Sequence, residues 1–216
     1  MKDYDAYLFD WDGTIADTLQ IWTDVIQSNL EKLGIEVPLE AIILALGDWN
    51  DLLQYGMSPS DLEKFGVASR AQAEELAPLA DIYPLARETL MKLKKSGKKL
   101  ALITASHREI IDKALAHNKL ETMFDVVISY SDITHPKPDP EGLLKAMDRL
   151  QLSDKAKIVM IGDSNRDLEA ANKAGVDKML FHPPSHSLIY DIKHLQSFNP
   201  DYIFTDWQEL FEMVGA

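Results

Sequence analysis

Two apolar runs in this 216-residue chain end in paired carboxylates. Tyr7-Leu8-Phe9 leads into Asp10-Trp11-Asp12-Gly13-Thr14, and Val159-Met160-Ile161 leads into Gly162-Asp163-Ser164-Asn165-Arg166-Asp167. In an extended chain residues i and i+2 share a face, so Asp10 and Asp12 lie near one another. Asp167 comes one helical turn after Asp163, and helical side chains lean toward the N-terminus, which turns it back toward the same crevice. Two like charges ~4 Å apart cost about 4 kcal/mol at an effective dielectric near 20, so four gathered carboxylates need a counter-charge. An all-oxygen cluster favours a hard cation such as Mg²⁺ over zinc. Lys137 adds a further positive charge, and the prolines on either side of it, Pro136 and Pro138, restrict its backbone so that the ammonium is aimed. Leu100-Ala101-Leu102-Ile103 ends in Thr104, a hydroxyl followed by the N–H groups of a helix start, which is a ready anion site. Each segment alone has a plainer reading: a solvated acidic turn, a stiff loop, or Thr104 and Ser106 as helix caps.

The elements that must position these residues alternate. Short runs rich in β-branched and aromatic residues predict strands over 4–9, 99–104, 126–129, 157–161, 179–181 and 202–204. Helical patterns or turns separate them, which implies βαβ units and a mainly parallel sheet. Ligand sites in such sheets lie outside the carboxyl ends of the strands, where Asp10, Thr104 and Asp163 fall. The helix predicted over 85–96 ends in lysines and Gly97, the helix after Thr104 starts at a Ser106-to-Glu109 capping box, and 165–174 ends at Gly175. Residues 17–80 break the alternation. Leu19, Trp22, Ile26, Leu30 and Leu33 form one face of an amphipathic helix, and shorter helical pieces follow over 39–46, 51–55, 60–65 and 70–76. The expected architecture is therefore α/β: a Rossmann-like three-layer sandwich over 1–16 and 81–216, with a small helical domain over 17–80 inserted after strand one.

Composition narrows the function classes. Hydrophobic residues make up 46% and charged residues 26%, enough apolar mass for a sizeable core. A net charge of −13 argues against binding nucleic acid or anionic membrane. The chain has no cysteine, so disulfides, thiolate metal sites and cysteine nucleophiles are excluded. Without a basic-then-apolar leader or an apolar run long enough to span a bilayer, the expected location is cytoplasmic.

Taken together, Asp10-x-Asp12-Gly13-Thr14, Thr104, Lys137 and Gly162-Asp163-x-x-x-Asp167 resemble, in order and after the expected elements, the four motifs of the haloacid dehalogenase superfamily. The insert resembles the helical cap of its phosphoglycolate phosphatase-like and β-phosphoglucomutase-like branch. The resemblance implies a Mg²⁺-dependent phosphatase acting on a small phosphorylated metabolite through an aspartyl-phosphate, commonly as a monomer. It implies Asp10 as nucleophile and Asp12 as general acid/base. Mg²⁺ would be held by Asp10, the carbonyl of Asp12 and Asp163, with Asp167 supporting it or ordering Lys137. Thr104 and the N–H groups of Ala105 and Ser106 would bind phosphoryl oxygens, and Lys137 would offset charge. Asp48 and Trp49 stand where relatives carry a substrate-reaching cap loop, and are read equally as an N-cap and a buried ring. Trp11 replaces a smaller apolar residue, so the strand tip is expected to differ locally.

Other functions remain to be weighed. A phosphomutase uses the same four motifs. A dehalogenase lacks the Mg²⁺ cluster and the second carboxylate of the first motif. A receiver-like phospho-acceptor module is shorter and spreads its acidic pair over different strands. His182-Pro183-Pro184-Ser185-His186 is expected to be a surface loop, since prolines exclude a helix and no third metal ligand is near. Finally, residues 17–80 carry three basic and eleven acidic residues, −8 of the −13. Such a cap is poorly equipped to clamp a second phosphate or a carboxylate, which favours a neutral or cationic leaving group unless the acids only solubilise its outer face.

Overall fold

The computed structural model describes residues 2–46 and 49–214, which divide into two compact units, Met1–Asp17 with Asp81–Ala216, and Thr18–Ala80. The first unit is built on six strands: β1 (Ala6–Phe9), β2 (Lys99–Ile103), β3 (Val126–Ile128), β4 (Ile158–Gly162), β5 (Asp177–Phe181) and β6 (Tyr202–Phe204). Their order is β3-β2-β1-β4-β5-β6, and every neighbouring pair is parallel. The connection reverses direction beside β1, so β1 and β4 flank the switch point, outside whose strand ends ligands bind in this architecture. Phe9 is in register with Leu102 on one side and Ile161 on the other, which brings the three tips level.

Helices cover both faces, and alternation along the strands assigns side chains to each. Tyr7, Phe9, Leu100, Leu102, Val159 and Ile161 face one layer, packing with Ala86, Leu90 and Leu93 of α4 (Ala86–Lys95), Ile111, Ala114 and Leu115 of α5 (Arg108–His117) and Trp207 and Leu210 of α9 (Trp207–Met213), which follows the short helix α8 (Ile192–Gln196). Ala6, Leu8, Ala101, Ile103, Ile158 and Met160 face the other, against α6 (Glu141–Arg149) and α7 (Asn165–Ala174). Strands buried on both sides read as continuous apolar runs, which is why the sequence shows runs rather than alternation. Trp11 is 1% exposed and joins the first layer's core, so the large ring at the strand tip is absorbed inward. The lysines closing α4 bond carbonyls: Lys92 donates to Phe211 and Lys94 to Thr122 and Met123.

The second unit is helical: α1 (Leu19–Lys32), α2 (Leu39–Ala45) and α3 (Pro59–Leu76), with a 3₁₀ segment at Trp49–Tyr55. Ile26, Leu30, Ala41, Ile42, Leu52, Met57 and Phe65 form its core. Two short helices expected over 60–65 and 70–76 are one helix of 18 residues. Pro59 occupies its first turn, where its missing N–H costs nothing, and the side chain of Ser58 caps Asp61 N–H. Gly66 does not break α3, and it lies beside the Trp49 ring, 3.5 Å from where a Cβ would sit. No described helix is long and apolar enough to cross a membrane.

The link from α9 to β1 is specific. Trp207 is buried, stacks on Phe9 with centroids 6.0 Å apart, and donates its indole N–H to the carbonyl of Thr14 at 3.1 Å. Trp207→Phe keeps the stack and strands a buried acceptor, so stability is expected to fall by about 1–3 kcal/mol in urea denaturation. An unchanged midpoint would show that this bond does not hold the loop after β1.

Candidate active site

The loop after β1 starts from backbone. Asp10 N–H donates to the carbonyl of Ile161 at 2.9 Å, extending the β1–β4 pairing one residue past the strand. The chain then curls on the carbonyl of Trp11, which accepts from the N–H groups of Thr14, Ile15 and Ala16, with Gly13 at a positive φ of 74°. The curl aims Thr14 across the gap, where its hydroxyl donates to Asp163 Oδ1 at 3.3 Å. Asp12 is turned toward β2, and its carboxylate accepts from the Ser106 hydroxyl at 2.7 Å.

Lys137 sits among the acids. Its Nζ is 2.7 Å from Asp10 Oδ1 and 2.6 Å from Asp167 Oδ1, and donates to the Ile103 carbonyl at 3.1 Å. All three donor directions of the ammonium are thereby used. Asp167 is fully buried, and its second oxygen accepts from Ser164 N–H and hydroxyl at 3.2 and 2.6 Å, a reciprocal capping box at the start of α7. The close approach depends on Gly162, because a Cβ there would lie 2.3 Å from Asp167 Cγ.

Asp10, Asp163 and Asp167 each place a carboxylate oxygen within 4.8 Å of the others, all buried. One ammonium faces three carboxylates. Burial raises the Asp10 and Asp163 carboxyls, their mutual repulsion and that of Asp167 adds to it, and Lys137 opposes it. Burial works to strip the Lys137 proton, yet Asp10 and Asp167 hold its pKa above the ordinary lysine value. Asp163 Oδ2 is buried without a hydrogen-bond partner. A negative surplus, an all-oxygen donor set and an orphaned carboxylate oxygen fit a hard divalent cation.

Thr104 is 1% exposed at the β2 tip. Its Oγ1 accepts from Ser106 N–H at 3.0 Å, so that N–H is spent inside the loop, and Ala105 between them is exposed. The expected capping box at Ser106 is absent. The N-cap of α5 is His107, and the Ser106 hydroxyl serves Asp12 instead, because the chain stays extended one residue longer. Trp49 lies in the helical unit, edge-on to Phe65 at 5.4 Å with the Arg70 guanidinium 5.7 Å from its ring, and so is held by its own unit's packing. Asp48 lies outside the described residues.

The segment after β5 corrects the expectation of a surface loop. His182 and His186 are 7% and 2% exposed. The prolines do exclude a regular helix, but Pro184–Leu188 forms a 3₁₀ turn that folds His186 inward against Phe181. His186 Nε2 is 3.0 Å from the Tyr83 hydroxyl, and Nδ1 is 3.8 Å from Asp163 Oδ2. Burial and, secondarily, His182 push the His186 imidazole down to about 4, so it is neutral. The rule that selected Asp10, Thr104 and Asp163 also selects His182, which directly follows β5 at the same edge of the sheet.

Comparison with known proteins places the chain in a family. A family model for haloacid dehalogenase-like hydrolases matches residues 7–181. A pyrophosphatase, PpaX, of Bacillus velezensis is 28% identical, with 100% of this chain and 98% of that protein covered. A crystal structure from Bacteroides fragilis, described as a haloacid dehalogenase-like hydrolase, superposes with a TM-score of 0.84 at 30% identity, over 96% of this chain and 100% of that one. The structure of CbbY from Rhodobacter sphaeroides shares the fold at a TM-score of 0.77 and 19% identity, covering 96% of each chain.

Gly162→Ala forces a methyl group into Asp167. The expected result is a stability loss of roughly 1–3 kcal/mol on chemical denaturation together with loss of activity, as Asp167 leaves Lys137. A variant that melts and turns over like the parent would show that the approach has slack.

Proposed function

Because the chain belongs to the haloacid dehalogenase-like hydrolase family, we propose that it is a phosphatase that transfers the phosphoryl group of a small phosphorylated metabolite to Asp10 and then to water. The single observation that carries this reading is the placement of Lys137 between Asp10 and Asp167 beside Asp163, with Asp12 held separately by Ser106. A carboxylate paired to an ammonium through one oxygen keeps its second oxygen for attack, and Asp10 is bound to Lys137 through Oδ1.

In the first step a carboxylate oxygen of Asp10 forms a bond to phosphorus as the bond to the leaving oxygen breaks. Asp12, in its protonated form, gives its proton to that oxygen. In the second step the Asp12 carboxylate takes a proton from water, whose oxygen attacks phosphorus and releases phosphate and the Asp10 carboxylate. Ser106 keeps Asp12 directed during both steps. The Thr104 hydroxyl and Ala105 N–H bind phosphoryl oxygens, and Lys137 offsets the charge that collects on nucleophile and phosphoryl group. Asp10, Asp163 and the Asp12 carbonyl would hold Mg²⁺, which when bound supplies electrostatic stabilisation of the phosphoryl oxygens. Both oxygens of Asp167 are engaged, by Lys137 and by Ser164, so its part is to order Lys137.

Pyrophosphate is a second substrate reading, favoured by relatives named as pyrophosphatases. Against it stands the charge of residues 17–80, three basic and eleven acidic, if that segment serves as a cap over the leaving group. A panel containing p-nitrophenyl phosphate, pyrophosphate, phosphoglycolate and hexose phosphates separates these readings, and isomerisation of the hexose phosphates would indicate a mutase.

Phosphate release from p-nitrophenyl phosphate is expected to require Mg²⁺, to stop in excess EDTA and to be abolished in Asp10→Asn. Asp12→Asn is expected to slow turnover by about 10²-fold or more while Mg²⁺ still binds. Full activity of Asp10→Asn would remove the covalent mechanism, and wild-type turnover of Asp12→Asn would remove its acid/base role.

A further inference from the structure

The loop that carries Lys137 is held from outside by groups that none of the steps above use. Lys137 is the one buried residue of 131–140, while Thr134 and His135 just before it are exposed. A single carboxylate gathers those two residues. Glu141, the first residue of α6, accepts from the N–H of His135 at 2.8 Å through Oε2 and from the N–H of Thr134 at 3.1 Å through Oε1. The His135 ring nitrogen Nδ1 lies 3.1 Å from Oε2, and Lys145 Nζ, one turn along α6, lies 2.6 Å from Oε1. Lys145 and the two backbone donors hold the Glu141 carboxyl down to about 2, so it is charged at neutral pH. The other arm of the loop is tied to α7, where Arg166 Nη1 donates to the Lys137 carbonyl at 3.3 Å and Lys173 Nζ to the Pro138 carbonyl at 3.1 Å.

These bonds do not rescue buried donors. Thr134 and His135 are exposed, so water could satisfy their N–H groups without Glu141. An acid in the first turn of a helix already has the N–H groups of its own turn to face, yet Glu141 reaches back to residues six and seven positions earlier. What the bonds fix is the path of the chain into Lys137. That path matters because the ammonium is buried against carboxylates on two separate elements, 2.7 Å from Asp10 after β1 and 2.6 Å from Asp167 on α7. A small shift of the loop leaves one of these charges buried without its partner. The loop keeps three holds on α7, through Asp167, Arg166 and Lys173. The contact at risk from a loosened entry arm is therefore the one to Asp10.

We propose that Glu141 is a positioning residue for Lys137: it closes the entry arm of the loop onto α6, so that the ammonium reaches Asp10 as well as Asp167. This rests on the reading that Lys137 offsets charge on Asp10 during phosphoryl transfer. Lys145 shares the carboxylate, but its other bond is to the Asp132 carbonyl, before Thr134 in the chain. The ion pair and the closure of the loop are thus separable by substitution.

The test follows the Lys137 ammonium in ¹H–¹⁵N spectra of the lysine side chains of the full chain, its signal assigned by loss in Lys137→Met. Buried and with all three protons bonded, it is expected in the wild type as a signal protected from exchange with water. Glu141→Ala is expected to lose that protection. It is also expected to lower kcat for p-nitrophenyl phosphate about tenfold or more while KM stays within about twofold, because the misplaced charge acts on the transition state. Glu141→Gln keeps an oxygen in the place of Oε2, within reach of both N–H groups, and is expected to recover most of the protection and the rate. Lys145→Met is expected to keep both. A protected signal with wild-type kcat in Glu141→Ala, no recovery in folded Glu141→Gln, or an equal loss in Lys145→Met would each overturn the proposal. If the wild type hydrolyses no phosphoester, the phosphatase reading falls; if it does and the Lys137 signal of Glu141→Ala stays protected, this inference falls alone.

Discussion

Three carboxylates share one ammonium at the tips of β1 and β4, and the rest of the sheet-bearing unit is arranged to tolerate it. Each like-charged pair at ~4 Å costs about 4 kcal/mol at an effective dielectric near 20, and desolvation adds to the cost. Lys137 offsets part of this by contacting Asp10 and Asp167 together. The remainder is met by geometry. Asp167 takes two donors from Ser164, Asp163 takes one from Thr14, and the loop that supplies Thr14 is pinned by the indole of Trp207. Helix, loop and sheet thus meet at a group that none of them would bury alone.

The sheet order explains why the cluster forms where it does. With β1 between β2 and β4, three strand ends converge on one crevice, and the register keeps Phe9, Leu102 and Ile161 level. Each strand then delivers a different chemistry: Asp10 and Asp12 from β1, Thr104 and Ser106 from β2, Asp163 from β4. Lys137 arrives from the loop before α6, a longer route stiffened by its flanking prolines. Ser106 shows how tightly these deliveries interlock. Its N–H closes on Thr104 and its hydroxyl on Asp12, so one small residue ties the tip of β2 to the loop after β1.

The strands and the acid cluster were legible because both follow from local rules: buried runs bounded by turns, and polar residues at strand ends. The six strands fall where apolar runs predict them, and Asp10, Asp163 and Asp167 do converge. What stayed illegible depended on contacts between distant residues. Residues 60–65 and 70–76 read as two separate helices, but α3 runs unbroken from Pro59 to Leu76 through Gly66. Ser106 has the spacing of a capping box, but Asp12, 94 residues earlier, claims its hydroxyl. His182 and His186 looked solvated because prolines surround them, and only the turn at Pro184–Leu188 packs His186 behind Asp163. Local sequence states what a residue can bond; tertiary placement decides among the partners.

Asp167 makes the dependence of site on fold explicit. The same carboxylate caps α7 through Ser164, holds Lys137 and fills the space that Gly162 leaves open. A residue free to serve the site alone could be replaced by any group that orients Lys137. Asp167 cannot, because a substitute must also satisfy two donors at a helix start and fit against a backbone with no Cβ. Fold and site therefore select the same side chain for separate reasons, and each constraint narrows the positions open to the other. The result is rigidity: with both Asp167 oxygens committed, Lys137 cannot follow Asp167 away from Asp10, and Asp10 keeps its counter-charge.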